Sequence, residues 1–231
     1  TCFISYIVND RDVSGILVQN YLLKSKYKIT TPYYCIVTDG VSDENIKHMK
    51  NEGVIILSSE LNTIINNLNL SEPKMKILYS DSYKNYLCKF IIFNILPDEI
   101  DKCIYIDADT MFIKNPEVIF SFMKNDDCLY MCSDQFLSQS SDGIELCIST
   151  NCFNSGVILF HKKVCVQVWT ELCLFLKNCD VSYLEHGYND QHIFNKLHDI
   201  EVIKIRNMHP KFNIIPCSYK TLVNNKYLQS N

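Results

Sequence analysis

Short apolar segments alternate with amphipathic segments over the first 60 residues of the chain. Residues 2–8, 33–38 and 54–57 are apolar runs of strand length, and each of the first two precedes a stretch with helical spacing. Apolar runs bounded by turn residues predict buried strands, and the helical spacing between them predicts connecting helices. Strands that alternate with helices are typical of a parallel sheet with right-handed connections. This part of the chain therefore predicts an α/β fold.

The middle and C-terminal parts of the chain continue this alternation less regularly. Residues 81–95 have helical spacing, and residues 163–177 form a second amphipathic pattern. Pro97 predicts the end of the first of these helices, because a proline does not continue a helix. Shorter patterns predict a helix at residues 115–123 and strands at 103–106, 127–132, 157–160 and 201–205.

Polar segments separate these elements. Residues 58–80 contain several asparagines and a weak helical spacing that ends at Pro73, and we interpret them as a surface excursion. Residues 133–151 are polar and predict a long loop, which is usually functional or mobile. Residues 180–188 predict another loop, and Asn189-Asp190-Gln191 then predicts the start of a helix.

Two carboxylates follow the apolar run at residues 103–106. Successive side chains of a strand point to opposite faces, so Asp107 and Asp109 project to the same side and Ala108 turns away. Two oxygen donors that face one way form half of a divalent-cation site, and a diphosphate could fill the vacant positions. The alternative is that the two aspartates only end a strand and cap a turn.

Composition narrows the class of protein. The chain has 231 residues, of which 47% are hydrophobic, and a net charge of −4. This length fits one domain with a large core. The mild acidity argues against nucleic acid as a partner, because a basic patch is expected in such proteins. No run of about 18 apolar residues predicts a membrane span.

The cysteines and the codon bias suggest where the protein resides. Most of the 12 cysteines lie in apolar runs, where a thiol behaves as a small hydrophobic side chain. We therefore expect reduced thiols and a cytoplasmic location. Ala108 is the only alanine in the chain, which points to an AT-rich genome such as that of a large DNA virus or a protist.

Five short segments together carry a resemblance to a known family. The chain resembles glycosyltransferase family 8, and within it the glycogenin-like enzymes. The matching segments occur in family order between residue 2 and about residue 216. They are Asn9-Asp10 after the first strand, Tyr86-Leu87-Cys88-Lys89, Tyr105-Ile106-Asp107-Ala108-Asp109-Thr110, Cys152-Phe153-Asn154-Ser155-Gly156-Val157 and Asn189-Asp190-Gln191.

The resemblance implies a fold and a reaction. The fold would be a GT-A fold, with residues 1–231 forming a single Rossmann-like domain whose central sheet is mainly parallel and flanked by helices. The enzyme would move a hexose from UDP-glucose or UDP-galactose to an acceptor hydroxyl, with retention at the anomeric carbon and with Mn²⁺ or Mg²⁺. The acceptor could be a glycan, a protein or the chain itself, and a homodimer is compatible with the family.

The resemblance also implies roles for individual residues. Asp107 and Asp109 would bind the metal, and Asp107 would also approach the ribose or the sugar. Lys89 would contact the sugar and the phosphates and, with Asp190 and Gln191, would form the catalytic set. The donor would further be lined by Asn9 at the uridine, Asp10, Ala108, Asn154 and Ser155.

The chemistry leaves two routes to retention. Asp190 could form a covalent intermediate with the sugar, or the acceptor could attack on the face that the leaving group vacates. Simpler interpretations also stay open at this point. Lys89 could be a surface lysine whose stem covers apolar side chains, and Asp190-Gln191 could be an ordinary helix cap.

Three departures from the family pattern stand out. The arginine upstream of the lysine has no counterpart near Ser80, and Tyr188-Asn189 replaces two glycines. The C-terminal His-x-x-Gly-x-x-Lys-Pro-Trp segment is missing, so we expect the native chain to continue beyond Asn231 with a metal-binding histidine. The alternative function is a nucleotide-sugar-binding module of low activity. A nucleotidyltransferase is disfavoured, because Asn9-Asp10-Arg11-Asp12 is not a glycine-rich phosphate loop.

Overall fold

A computed structural model describes residues 1–59, 61–124, 126–140, 143–185, 189–209 and 212–213. Within them, a seven-stranded sheet has the order β3-β2-β1-β4-β6-β5-β7. Its strands are β1 (Cys2–Ile7), β2 (Tyr33–Val37), β3 (Ile55–Ser58), β4 (Lys102–Ile106), β5 (Leu129–Ser140), β6 (Gly143–His161) and β7 (Ile205–Met208).

Strand direction confirms the prediction of a mainly parallel sheet. β1 pairs in parallel with β2 and β4, β2 with β3, and β5 with β7. β6 is antiparallel to both of its neighbours, β4 and β5. Strands β1, β2 and β4 therefore present their carboxyl ends at one edge of the sheet, which is where ligands bind in open α/β folds.

Helices cover both faces of this sheet. They are α1 (Val13–Tyr21, continued by a π-helical turn over Leu22–Lys26), α2 (Asp43–Asn51), α3 (Leu61–Asn67), α4 (Glu72–Leu78), α5 (Asp81–Ile95), α6 (Cys165–Asn178), α7 (Val181–Glu185) and α8 (Asp190–Asp199). Neighbouring residues of β1 enter different cores, because Ile4 packs with α5, α6 and α8 whereas Phe3 packs with α1 and α2. Burial on both faces explains why the strands read as continuous apolar runs.

The interpretation of residues 58–80 as a surface excursion is wrong. This segment forms α3 and α4, and Leu61, Ile65 and Leu78 are buried in the core beside α5. Pro73 does not end a helix but lies in the first turn of α4. A proline is compatible with that position, because the first N–H groups of a helix have no partner within the helix.

The prediction of a long loop at residues 133–151 is also wrong. β5 and β6 continue as an antiparallel pair down to Ser140 and Gly143, and the segment around Asn154 lies within β6 and not in a turn. The register shifts between Met131 and Cys132 and again between Ser133 and Gln135. Such irregularities bend a strand and redirect its side chains, often beside functional sites.

Smaller differences concern the ends of the chain's later elements. The predicted strand at 201–205 is shifted, because Glu201 adopts a left-handed conformation with φ 61° and β7 begins at Ile205. The predicted loop at 180–188 contains the short helix α7. The predicted helix at 115–123 is a 3-10 helix over Pro116–Phe122.

Two further observations bear on the predictions from composition. Among the described residues, the thiols of Cys2, Cys35 and Cys103 have no exposed surface. Among the described residues, no helix has both the length and the apolar composition that a membrane crossing needs.

Candidate active site

The two aspartates lie in a tight turn that follows β4 at the carboxyl edge of the sheet. The Thr110 N–H donates to the Asp107 carbonyl at 3.0 Å, which closes the turn. The Asp107 N–H donates to the carbonyl of Gly156 on β6 at 2.9 Å. The turn is therefore fastened to the antiparallel strand beside it, and Asp107 faces the segment of β6 that carries Asn154 and Ser155.

Lys89 is the centre of a buried charged cluster. It lies on α5, its side chain is 3% exposed, and its Nζ is 2.5 Å from Asp190 Oδ2 and 3.1 Å from Asp107 Oδ1. Nζ also donates to the carbonyl and the hydroxyl of Ser155, each at 3.1 Å. The ring of Tyr105 lies 5.1 Å from Nζ. This burial excludes the interpretation of Lys89 as a surface lysine.

The charges in this cluster support one another. Burial by itself would lower the pKa of Lys89, but the carboxylates of Asp107 and Asp190 outweigh it and raise the pKa above its ordinary value. Burial raises the pKa of Asp107, whereas Lys89 and the Tyr105 hydroxyl oppose that shift. One cation between two carboxylates leaves the cluster with a formal negative charge, which favours a further cation at its open side.

The side chain of Asp190 joins the charged cluster, and the preceding residue, Asn189, caps helix α8 instead. Asn189 is the N-cap of α8, and its side chain accepts a hydrogen bond from the His192 N–H at 3.1 Å. Asp190 is thus the first residue inside the helix, and its Oδ2 accepts from the Ser155 hydroxyl at 2.6 Å as well as from Lys89. The cap interpretation is therefore correct for the segment but applies to Asn189.

A network of amide side chains extends the site beyond the charged cluster. The Gln191 Nε2 donates to Asp134 Oδ2 at 2.8 Å, and the Asn154 Nδ2 donates to Gln191 Oε1 at 3.1 Å and to Asp134 Oδ1 at 3.3 Å. Asn154 Oδ1 accepts from the Gly156 N–H at 2.9 Å and from Asn213 at 2.6 Å. Four of the predicted residues, Asn154, Ser155, Asp190 and Gln191, thus lie together with Lys89 and Asp107.

Asp134 is a site residue that the sequence analysis missed. It lies on β5 and joins Asn154 of β6 to Gln191 of α8. In the sequence it falls at the start of a polar stretch that predicts a loop, so no local pattern marks it. Only the pairing of β5 with β6 brings its carboxylate to the site.

Asn9 and Asp10, which were also predicted to contact the sugar donor, form hydrogen bonds within the protein at the edge of the sheet. Asn9 Oδ1 accepts from the Arg11 N–H at 3.0 Å and caps a 3-10 turn. Asp10 Oδ1 accepts from the N–H of Ser42 at 2.8 Å and from its hydroxyl at 3.1 Å. Hydrogen bonds from Asn45 and Ser42 lower the pKa of Asp10. Both residues follow β1, and their bonds serve the starts of neighbouring helices.

The donor atoms at the turn fit a divalent cation in part. Asp107 Oδ1 is engaged by Lys89 and Tyr105, whereas a Cβ added at Gly156 would lie 3.3 Å from Asp107 Oδ2. Glycine thus keeps the space beside that oxygen open, and the exposed Asp109 supplies a second carboxylate. Carboxylate oxygens suit Mg²⁺ and Mn²⁺. The part of the chain that the structure describes holds no group of three or more His, Cys, Asp or Glu side chains placed for a metal ion.

Comparisons with known proteins identify the family and the fold. Residues 9–230 match the model of the family described as Glycosyl transferase family 8. A sequence search of curated proteins found no match. Among solved structures, an active-site mutant of LgtC aligns with a TM-score of 0.65 at 14% identity, covering 97% of this chain and 78% of that chain.

Two further solved structures show how widely the fold is shared. WbbM, a bifunctional glycosyltransferase, aligns with a TM-score of 0.63 at 18% identity, covering 98% of this chain and 44% of that chain. Mouse xyloside xylosyltransferase 1 aligns with a TM-score of 0.57 at 12% identity, covering 98% of this chain and 91% of that chain. At such identities the likeness shows the fold alone, and this fold is the GT-A fold.

Proposed function

The chain belongs to glycosyltransferase family 8, and we propose that it is a retaining enzyme that moves a hexose from a UDP-sugar to an acceptor hydroxyl. The hexose is glucose or galactose, and the acceptor is a glycan, a protein or the chain itself. The buried cluster of Lys89, Asp107, Asp190 and Ser155 is the observation that carries this proposal.

Lys89 has the properties needed to stabilise the leaving group. UDP gains negative charge as its bond to the sugar breaks, and a fixed cation in a site with little water stabilises such charge strongly. The Lys89 ammonium is held by Asp107, Asp190 and Ser155 before any substrate binds, so little reorganisation is needed during the reaction. We assign Lys89 to the phosphate nearest the sugar.

Asp107 and Asp109 would hold Mn²⁺ or Mg²⁺ beside the diphosphate. When bound, the metal would neutralise charge on the phosphates as UDP leaves. In the protein, Tyr105 and Lys89 fix the orientation of Asp107, and the turn between β4 and the 3-10 helix sets the position of Asp109. The diphosphate and water would complete the ligand set.

Asp190 is the residue that we assign to the reacting carbon. Its Oδ2 is engaged by Lys89 and the Ser155 hydroxyl, and we assign Oδ1 to the sugar. In the covalent route, Oδ1 attacks the anomeric carbon while the bond to UDP breaks, and the acceptor oxygen then displaces Asp190. In the alternative route, Asp190 only stabilises the positive charge that develops on the sugar while the bond to UDP breaks and the acceptor oxygen attacks. In both routes the proton of the acceptor hydroxyl passes to a phosphate oxygen of the departing UDP.

The amide network is suited to the sugar hydroxyls. Asn154 and Gln191 each carry one donor and one acceptor group, and Asp134 holds both in place. Hydroxyl groups both donate and accept hydrogen bonds, so a pair of side-chain amides can distinguish sugars by the positions of their hydroxyls. The solved structures of the galactosyltransferase LgtC and of xyloside xylosyltransferase 1 share this fold, but the two enzymes are named for different sugars. This is consistent with the sugar being selected by such side chains and not by the fold.

The test is turnover of UDP-glucose and UDP-galactose with Mn²⁺ present. We expect slow release of UDP without acceptor, faster release with a suitable acceptor, and an α-configured product by NMR. Mass spectrometry of the protein after incubation detects self-glycosylation. Binding of UDP-sugar without any turnover would identify a nucleotide-sugar-binding module instead.

A matched pair of variants tests the metal assignment. Asp109→Asn removes one carboxylate from an exposed position and should abolish most of the Mn²⁺-dependent UDP binding with little loss of stability. Asp199→Asn makes the same change at the exposed last residue of α8 and should leave binding unchanged. Equal Mn²⁺-dependent UDP binding by both variants would refute the metal assignment.

A further inference from the structure

Gln19 is a buried polar residue directly beneath the turn that carries the two aspartates. It lies on α1, and its side chain has no exposed surface. Its Nε2 donates to the carbonyl of Asp107 at 2.8 Å and to that of Thr110 at 2.7 Å. These two carbonyls are the first and last of the turn, so one amide group spans it.

The orientation of this amide is determined by its partners. Carbonyl oxygens only accept hydrogen bonds, so both hydrogens of Nε2 point at the turn. On the other side, Gln19 Oε1 accepts from the hydroxyl of Tyr33 on β2. The Ser5 hydroxyl lies 2.9 Å from the Tyr33 hydroxyl and donates to the carbonyl of Ile106 at 2.6 Å. Both hydrogens of the Gln19 amide and that of the Ser5 hydroxyl are thus aimed at backbone carbonyls around Asp107.

The packing of α1 against the turn is equally close. A Cβ added at Gly15 would lie 1.9 Å from the carbonyl oxygen of Ala108, which no side chain can occupy without a shift of the backbone. Gly15 and Gln19 are one helical turn apart on α1. The helix therefore contacts the carbonyls of Asp107, Ala108 and Thr110 at once.

We propose that Gln19 is a positioning residue for the turn over residues 107–110 and sets the direction of the Asp107 and Asp109 carboxylates. The turn itself has one hydrogen bond, from the Thr110 N–H to the Asp107 carbonyl at 3.0 Å. A short turn with one internal bond, fastened to β6 only through the Asp107 N–H among the described backbone bonds, samples other conformations, and two additional bonds from a buried amide restrict it. What the two carboxylates bind rests on the proposed function.

Two variants separate positioning from general stability. Gln19→Met keeps the length of the side chain and removes both donors to the turn. Asn20→Leu changes the next residue of the same helix, which is also buried but donates to the carbonyl of Glu52 at 2.9 Å, outside the turn. Both variants lose buried hydrogen bonds, so both should unfold at a lower temperature than the unchanged chain.

Hydrogen exchange measures how firmly the turn is held, and it needs neither metal nor substrate. In Gln19→Met, we expect the Thr110 amide, whose N–H closes the turn, to exchange at least tenfold faster than in the unchanged chain, and we expect no such change in Asn20→Leu. If Gln19→Met does not fold, Tyr33→Phe replaces it, because this variant removes only the hydroxyl that holds Gln19 Oε1. Exchange there should rise by about threefold or more. Unchanged exchange in the folded variant would overturn the proposal.

Mn²⁺-dependent UDP binding tests whether the Asp107 and Asp109 carboxylates keep their direction. Gln19→Met should bind at least tenfold more weakly, a loss of about 1.4 kcal/mol, and Asn20→Leu should bind as the unchanged chain does. Faster exchange with unchanged binding would also overturn the proposal. If the unchanged chain itself shows no Mn²⁺-dependent binding, the proposed function fails, and the exchange measurement still decides whether Gln19 holds the turn.

Discussion

Replacing Lys89 by methionine removes the cation on which the candidate active site is built. Methionine has a similar length but carries no charge, so the change mainly removes the ammonium group. Asp107 and Asp190 then lie in the same space without the cation between them, and the Ser155 carbonyl loses a donor. We expect a loss of stability together with a loss of turnover.

The magnitude follows from burial and distance. Removing one partner of a buried ion pair costs about 3–5 kcal/mol. The Asp190 side chain is 10% exposed and lies 2.5 Å from Nζ, whereas the Asp107 side chain is 31% exposed and lies 3.1 Å from Nζ. Solvent therefore offsets part of the cost of leaving Asp107 without the cation. We therefore expect a loss near the lower end, about 3 kcal/mol. Losing a group that stabilises developing charge should lower turnover by about 10²–10³-fold.

Urea unfolding and UDP release measure the two effects. The chain has one tryptophan, Trp169, which packs against the core that contains α5, so its fluorescence reports unfolding. Lys74→Met is the matched control, because Lys74 is also buried but donates to the carbonyls of Leu176 at 2.9 Å and Lys177 at 2.7 Å. We expect the control to lose roughly 1–3 kcal/mol of stability and to keep its turnover.

A double variant completes the test. Adding Asp190→Asn to Lys89→Met removes one of the two carboxylates left without a cation and should restore part of the stability, while turnover stays low. The assignment of Lys89 would be refuted if Lys89→Met were as active as Lys74→Met. Equal stability of the single and double variants would refute the electrostatic explanation of the lost stability.

Three further predictions concern other parts of the molecule. Asp190→Asn should lower turnover by roughly 10²-fold or more while the dissociation constant of UDP changes little, and a larger effect on UDP binding than on turnover would make Asp190 a nucleotide-binding residue. Gly15→Ala should lower the free energy of unfolding in urea by about 1–3 kcal/mol and weaken Mn²⁺-dependent UDP binding, because the added Cβ would lie 1.9 Å from the Ala108 carbonyl oxygen. An unchanged free energy of unfolding and unchanged binding would contradict the close packing. Maleimide should label Cys35 after unfolding in urea but not in the native chain, since burial shields this thiol and raises its pKa; labelling of Cys35 in the native chain, detected by peptide mapping, would contradict its burial.

The sequence alone determined most of the elements and one pair of site residues. Apolar runs bounded by turn residues correctly predicted β1, β2 and β4, and helical spacing correctly predicted α5. The prediction that Asp107 and Asp109 project to one side through alternation along a strand is wrong in its premise, because β4 ends at Ile106 and both aspartates lie in the turn that follows. The sequence nevertheless indicated two carboxylates at the carboxyl end of a buried strand. The resemblance also indicated the family, which the family comparison confirms.

Local patterns failed where short elements depend on contacts far along the chain. Helices α3 and α4 lie in an asparagine-rich segment with a weak helical pattern, and the core that receives its apolar residues explains why they are helical. Strands β5 and β6 include most of the polar stretch at residues 133–151. Backbone pairing between strands does not require apolar side chains, so this stretch can form strands. Composition predicted a loop there, and pairing between distant residues decided otherwise.

The chemistry of the site was decided by tertiary structure. Lys89 and Ser155 are 66 positions apart, and Gln19 and Asp107 are 88 positions apart. In the sequence, Lys89 has the same pattern as a surface lysine, and Gln19 is an ordinary polar residue of a helix. The sheet brings the carboxyl ends of its strands to one edge, and helices α1, α5 and α8 deliver polar groups to that edge. Burial there makes each charge require a partner, which is why these residues act together.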